Sequence, residues 1–484
     1  MSPDHVNPAQ TRRVITIFAA ILLLYGLCQV LTLRATLLHH STGFETENFY
    51  HPTAVNILQA GVYGFGTAPD IEPSTFRPPL YSAVLAGLYG VFGVDERVGI
   101  VFNNLLLLGL IVLTFMIGSR FGPWVGLIAA VLIMLDPVYL AQANRNQSDM
   151  LFAFLMTAFL MFGLRAITKP VSLLHVILCG GTLGLAMFTR AAALYLWIPL
   201  CLVLILALWD TRRPARAILA VLFIVAVQGS VQLSWSERNE SITGNRTYAG
   251  MLGWHLVSFY APLLIAKRDG SDAGDVKRSI MAQVTADPSY QALAQGEQER
   301  YLAEYGTRLA KDNLKYAPLV LLDNIPKMFL GYPSEPLAVH LDAGNYAAWN
   351  NMRTLRHDDS FAASSWDVGG RFDLIRYYLR NGLAPILVYG IFMKAVNAAI
   401  LVLAAIALVR MTLRGSREAR STALLIVLVF GALAGTALLT TQARFRLPIM
   451  PALAVPAAIT LLAFLDWISR RQDWFRQRRS TLPS

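Results

Sequence analysis

Charge is what this sequence has least of. Only 15% of its 484 residues are Asp, Glu, Lys or Arg, against about 25% in a soluble globular chain. Hydrophobic residues make up 55%, and the mean hydropathy is +0.49. That balance excludes a soluble enzyme, a nucleic-acid module and a secreted disulfide scaffold, and points to a polytopic membrane protein. Cysteine is equally scarce. Cys28, Cys179 and Cys201 all lie inside apolar runs, where free thiols are expected to act as small buried apolar groups. There is no Walker loop, dinucleotide fingerprint, HExxH or nucleophile elbow, so nothing signals a nucleotide. An inverted repeat, which would favour a secondary transporter, is also missing.

What the chain does have is long apolar runs. They fall at 14–33, 98–118, 122–140, 149–165, 172–189, 191–209, 216–235, 384–409, 421–441 and 447–467, each near the ~20 residues a bilayer crossing needs. The first follows Arg12-Arg13. It is too long for a signal-peptide core, so it is expected to be an uncleaved helix with a cytoplasmic N-terminus. Asp136-Pro137 is expected to break the third run. A further run, 79–93, is short and rich in glycine.

The net charge of +11 could be taken for a nucleic-acid footprint. The positive-inside rule offers a better account. With ten crossings, the pieces expected in the cytoplasm hold 17 of the 41 Lys and Arg and 5 of the 30 Asp and Glu, net +12, leaving −1 for the rest. An eleventh crossing would turn most of these basic loops outward. The run 79–93 is therefore expected to be re-entrant or juxtamembrane, on the outer side. The expected architecture is an all-α polytopic membrane protein with about ten transmembrane helices, juxtamembrane helices and a mostly helical extracytoplasmic domain. Its parts are a transmembrane module at 1–236 with a first outer loop at 34–97, an outer domain at 237–380, and terminal spans with a basic tail at 381–484. The inner (cytoplasmic) membrane, with both chain ends in the cytoplasm, is the expected location.

The polar residues near the outer face are the candidates for chemistry. Glu45 and Glu47 follow the first span and could act as a general base at headgroup depth, or be solvated loop charges. Asp149 opens the fourth span within Asn144-Arg145-Asn146-Gln147-Ser148-Asp149. It either favours the helix N-terminus electrostatically or joins the first-loop acids in an active or metal site, where oxygen ligands suit a hard divalent cation. Arg77, Arg145, Arg190, Arg444 and Arg446 recur at outer helix ends. They could hold a lipid phosphate or snorkel among headgroups. Lys394 and Asn397 lie within the eighth span, where an ionisable side chain is a functional candidate. His340, Asp342, His357, Asp358 and Asp359, in the outer domain, match no metal spacing.

Taken together, these residues resemble a family. An acidic pair precedes Tyr50 and Ala54-Val55-Asn56-Ile57-Leu58. Phe76-Arg77-Pro78-Pro79-Leu80-Tyr81 follows, then Ser148-Asp149, Phe188-Thr189-Arg190 and Arg444-Phe445-Arg446-Leu447-Pro448. The pattern is similar to GT-C fold glycosyltransferases, in the bacterial branch related to the lipid A aminoarabinose transferase and the protein O-mannosyltransferases. It covers about 10–235 and 440–455. The resemblance implies an enzyme that moves a sugar from a polyprenyl-phosphate donor to a cell-envelope acceptor (lipid, glycan or protein), usually with inversion. It implies a base at Glu47 or Glu45, with Tyr50 three residues after Glu47 and Thr46 where the family usually has Asp. It puts Arg77 near the donor phosphate and makes Asp149 the second acid. Tyr50, Tyr81 and Lys394 are taken as substrate-binding. Some members of the family use a divalent metal and others do not; Glu47 and Asp149 are the candidate ligands. A lipid-linked-glycan polymerase or ligase, and a transporter or flippase, are the competing readings.

Overall fold

The computed structural model describes residues 8–39, 49–168, 172–208, 214–331, 344–345, 347, 371–438 and 442–480. Helices dominate them. α1 (Pro8–His39) is followed by α2 (Tyr50–Ala60), a two-stranded hairpin of β1 (Gly64–Phe65) and β2 (Glu72–Pro73), and α3 (Leu80–Phe92). Then come α4 (Glu96–Ser119), α5 (Pro123–Leu135), α6 (Pro137–Ala143), α7 (Asp149–Ala166), α8 (Leu173–Thr189), α9 (Trp197–Leu208) and α10 (Pro214–Thr243).

Seven helices among the described residues are long and apolar enough to cross a membrane, and the bent pair α5–α6 makes eight. The expectation of about ten is met only if the shorter apolar helices Leu173–Thr189 and Ala191–Ala207 are added. At 17 residues α8 reaches about 26 Å, a little under the ~30 Å hydrocarbon core. α3 has 13 residues, about 20 Å of helix, so the run 79–93 is too short to cross.

Local chemistry sets the breaks. Asp95 caps α4 by accepting the Arg97 N–H at 2.8 Å. Asp136 has extended backbone (φ −79, ψ 111) ahead of Pro137, and caps α6 through Val138 N–H at 3.0 Å. A proline ring excludes the helical region for the residue before it, and α5 and α6 meet at 63° there.

α7 is the most enclosed span, with 83% of its apolar window buried. It packs on α4 and α8, and α4 packs on α5. Small residues let α4 and α5 close up, as membrane helices often require. A Cβ added to Gly118 would sit 2.7 Å from the Gly126 Cα. Gly118→Val is therefore expected to cost about 1–3 kcal/mol through overpacking. A lowered unfolding midpoint in detergent would show this, and an unchanged midpoint would refute the close packing. Of the cysteines, Cys179 and Cys201 are buried as expected. Cys28 is exposed on α1, because that helix keeps much of its apolar surface (Leu23, Leu24, Leu27, Leu31) on the outside of the fold.

Beyond α10 comes a string of short helices: α11 (Met251–His255), a π-turn at Leu256–Tyr260, α12 (Ala261–Asp269), α13 (Ala273–Ala286), α14 (Pro288–Gln291), α15 (Gln295–Asp312) and α16 (Ala317–Leu330). They share a small core of Val257, Ile280, Val284 and Leu302. α17 (Arg371–Arg380) precedes the last spans, α18 (Ala384–Arg414), α19 (Arg417–Leu425), α20 (Gly431–Leu438) and α21 (Met450–Ser480). α15 and α16 fit the mostly helical character expected of this part of the chain. His340, Asp342, His357, Asp358 and Asp359 lie outside the described residues.

Candidate active site

The 144–148 turn and the start of α7 form the floor of the candidate site. Asn103 of α4 holds the turn, with Nδ2 donating to the Arg145 carbonyl at 2.7 Å and to the Gln147 carbonyl at 3.2 Å. Tyr81 holds it from α3: its hydroxyl donates to Asn146 Oδ1 at 2.9 Å and accepts from Asn103 Nδ2 at 2.8 Å. Tyr50, at the start of α2, meets Ser148 Oγ through its hydroxyl at 2.7 Å.

Asp149 stands on this floor with its side chain 6% exposed. Its Oδ2 takes an ion pair from Arg190 Nη1 at 2.8 Å and lies 3.8 Å from Arg444 Nη1. Arg190 also reaches Ser148 Oγ at 3.4 Å. Arg444 donates to Gln147 Oε1 at 3.0 Å. Both guanidiniums lie near the Phe445 ring, 5.6 Å and 5.3 Å from its centroid. Asp149 thus organises two arginines, in addition to lying in the first turn of its helix. Chain breaks bring these residues together. Arg190 follows the end of α8 with extended backbone. Arg444 sits on the 3-10 turn Ala443–Arg446 before α21.

Arg77 adds a third cation. Its guanidinium lies 4.9 Å from the Phe49 ring centroid and 5.1 Å from that of Tyr50, and its charge contributes to the field at Asp149. The Arg77 carbonyl accepts from the Tyr63 hydroxyl at 3.0 Å. Burial pushes that phenol well above its ordinary pKa, which keeps it a donor. Arg238 of α10 holds the same loop, donating to the Ser74 carbonyl at 2.5 Å and to the Tyr63 carbonyl at 3.2 Å.

Of the five arginines grouped from the sequence, the structure brings Arg77, Arg190 and Arg444 together around Asp149. The Arg145 side chain is half-buried on the turn itself. Arg446 goes elsewhere, and its assignment to a phosphate is corrected. It is 0% exposed, pairs with both Asp136 oxygens at 2.7 and 2.9 Å, and donates to the Met328 and Gly331 carbonyls. Tyr81 is likewise corrected from substrate contact to scaffold, because it is 0% exposed and its hydroxyl is already engaged. Tyr50, at 3% exposure, acts through Ser148 and Arg77. Lys394 is half-buried in α18, about 15 Å along the helix from Ala384. Glu45 and Glu47 lie outside the described residues. Gln147, Ser148 and Phe445 were missed as site residues. The polar string before Asp149 and the aromatic between Arg444 and Arg446 were the available signals.

Among the described residues, the charged groups beside Asp149 are the Arg190 and Arg444 guanidiniums, which do not suit a divalent cation. A cation there would face the Arg190 and Arg444 charges at contact distance. Among the described residues, no group of three His, Cys, Asp or Glu side chains could hold a metal.

Residues 76–235 match the family described as dolichyl-phosphate-mannose-protein mannosyltransferase. No curated protein is a significant match in sequence. Among solved structures, the Archaeoglobus fulgidus oligosaccharyltransferase, in complex with zinc and sulfate, superposes with a TM-score of 0.50 at 14% identity. It covers 93% of this chain and 50% of its own. The chain therefore spans about half of that protein. ArnT from Cupriavidus metallidurans, bound to undecaprenyl phosphate, matches with a TM-score of 0.38 at 16% identity, over 93% of this chain and 78% of its own. The archaeal AglB, with an inhibitory peptide and a dolichol-phosphate, gives 0.47 at 13% identity, over 96% and 52%.

Proposed function

We propose that this chain, a multi-pass membrane glycosyltransferase of the GT-C fold, transfers a sugar from a polyprenyl-phosphate donor to a hydroxyl of a cell-envelope acceptor. The observation that carries the reading is the pairing of Arg190 and Arg444 with the Asp149 carboxylate, with the Arg77 guanidinium held beside Tyr50, whose hydroxyl meets Ser148. The Arg77, Arg190 and Arg444 guanidiniums are gathered close to the membrane-embedded helices. Theirs is the charge a lipid phosphate needs.

The chemistry follows from the charges. The donor is a phosphodiester with one negative charge. Attack by the acceptor oxygen at the anomeric carbon forms the new glycosidic bond and breaks the bond from that carbon to the phosphate oxygen. The leaving polyprenyl phosphate gains negative charge as it departs. Preorganised cations stabilise that developing charge without having to reorganise. Asp149 keeps Arg190 and Arg444 in place. The acceptor proton goes to Glu47 or Glu45. Direct displacement would invert the anomeric centre. No step is routed through a metal. The +12 and −1 charge balance supports cytoplasmic chain ends and a site on the opposite face of the inner membrane.

The test is a donor panel with purified protein in nanodiscs, following release of polyprenyl phosphate. Monophosphate-linked sugars are expected to turn over. Arg77→Ala is expected to lower kcat/KM about 10²–10³-fold, the usual effect of removing one charge-stabilising donor. Turnover of diphosphate-linked donors alone would favour a glycan polymerase or ligase and end this reading.

A further inference from the structure

The loop that carries Arg77 is tied to the helices beyond α10. The Gly250 N–H donates to the Thr75 carbonyl at 2.9 Å, and the Met251 N–H to the Phe76 carbonyl at 3.2 Å. Thr75 Oγ1 donates to Glu299 Oε1, on α15, at 2.6 Å. Trp254 meets the Phe76 ring edge-on at 6.3 Å. A Cβ on Gly250 would fall 2.2 Å from Glu299 Oε1, so the glycine is what lets the carboxyl group lie against the backbone. Thr75 is 0% exposed. The residues just ahead of Arg77 are thus held by Arg238 on one side and by α11 and α15 on the other.

Arg77 itself lies on neither helix nor strand. A guanidinium on such a loop stabilises a transition state only when outer contacts hold it in place beforehand. We infer that Glu299 is a positioning residue for the donor site: through Thr75 it fixes the 74–77 loop so that Arg77 meets the departing phosphate. This rests on the reading of Arg77 as a donor-phosphate ligand. Glu299 touches no reacting atom. Its role places part of the 250–312 helices in the service of the donor.

The experiment is steady-state kinetics on the full chain with a polyprenyl-monophosphate sugar. Thr75→Val is nearly isosteric and removes only the hydroxyl. It is expected to lower kcat/KM for the donor about tenfold, the scale of one hydrogen bond to a charged group, with the acceptor KM unchanged. Glu299→Ala should do the same, and Glu299→Gln, which keeps the acceptor oxygen, should restore most of the loss. The double variant T75V/E299A should be no worse than either single one, since both break one contact. In an Arg77→Ala background Thr75→Val should change nothing further. A Thr75→Val loss that persisted undiminished without Arg77 would mark a merely structural role and overturn the inference. So would Thr75→Val activity equal to wild type, and that variant decides alone if Glu299→Ala does not fold. A wild-type protein inactive on every polyprenyl-phosphate sugar would overturn the functional reading and this inference together. An active wild type with an unaffected Thr75→Val would overturn this inference alone.

Discussion

Replacing both Glu45 and Glu47 by Gln is expected to lower sugar transfer about 10²–10⁴-fold, the contribution of a positioned general base. Binding of a polyprenyl phosphate should be kept, because the arginines that would hold it are untouched. The two single variants separate the roles: the one that carries the base should reproduce the double variant, and the other should stay near wild type. The expectation rests on the family pattern. Among the described residues, Asp149 is the acid that pairs with these arginines. Its Oδ2 is engaged by Arg190 at 2.8 Å, and a carboxylate held by guanidiniums is a poor proton acceptor. Initial rates at saturating acceptor would check this. If both carboxamide variants and Asp149→Asn kept full transfer, the site would have to be sought elsewhere.

Arg446→Met is expected to be the most destabilising single change, at about 3–5 kcal/mol. Its partner Asp136 would be left as a buried, uncompensated charge. The two side chains are 0% and 1% exposed, so water does not screen them. Arg446 also ties the 3-10 turn before α21 to the end of α16, through the Met328 and Gly331 carbonyls. Tyr139 adds a 2.7 Å hydrogen bond to the Leu447 carbonyl. Arg444 rides on that turn, so donor affinity should fall with stability. The double variant Asp136→Asn/Arg446→Met should recover much of the loss, since Asn preserves the N-cap of α6 and no lone charge remains. Unfolding midpoints in detergent are the measurement. A single Arg446→Met protein as stable as wild type would refute the coupling.

The bend at Asp136-Pro137 was legible as a broken helix, because proline restricts its neighbour locally. The role of Asp136 was not, because its partner lies 310 residues away. The same limit misplaced Arg446: two residues from Arg444 in a block that reads as one motif, it turns into the protein, whereas Arg444 turns toward Asp149. Tyr81, in the Arg77-Pro78-Pro79-Leu80-Tyr81 block, was taken as substrate-binding. Its three-dimensional neighbours, Asn103 and Asn146, showed instead that it supports the floor.

The sequence by itself determined the medium and the class. Scarce charge and long apolar runs leave only a bilayer to bury them, and short-range rules of helix length, capping and proline fixed most of the elements. The shortness of 79–93 also follows from local composition. Which charges act together was decided by tertiary structure alone. Arg77, Asp149, Arg190 and Arg444 come from four separate places in the chain. Electrostatic interaction depends on distance and burial in space, and spacing along the chain does not report it. The clasp of Glu299 on Thr75, 224 residues apart, is the same lesson at the edge of the site.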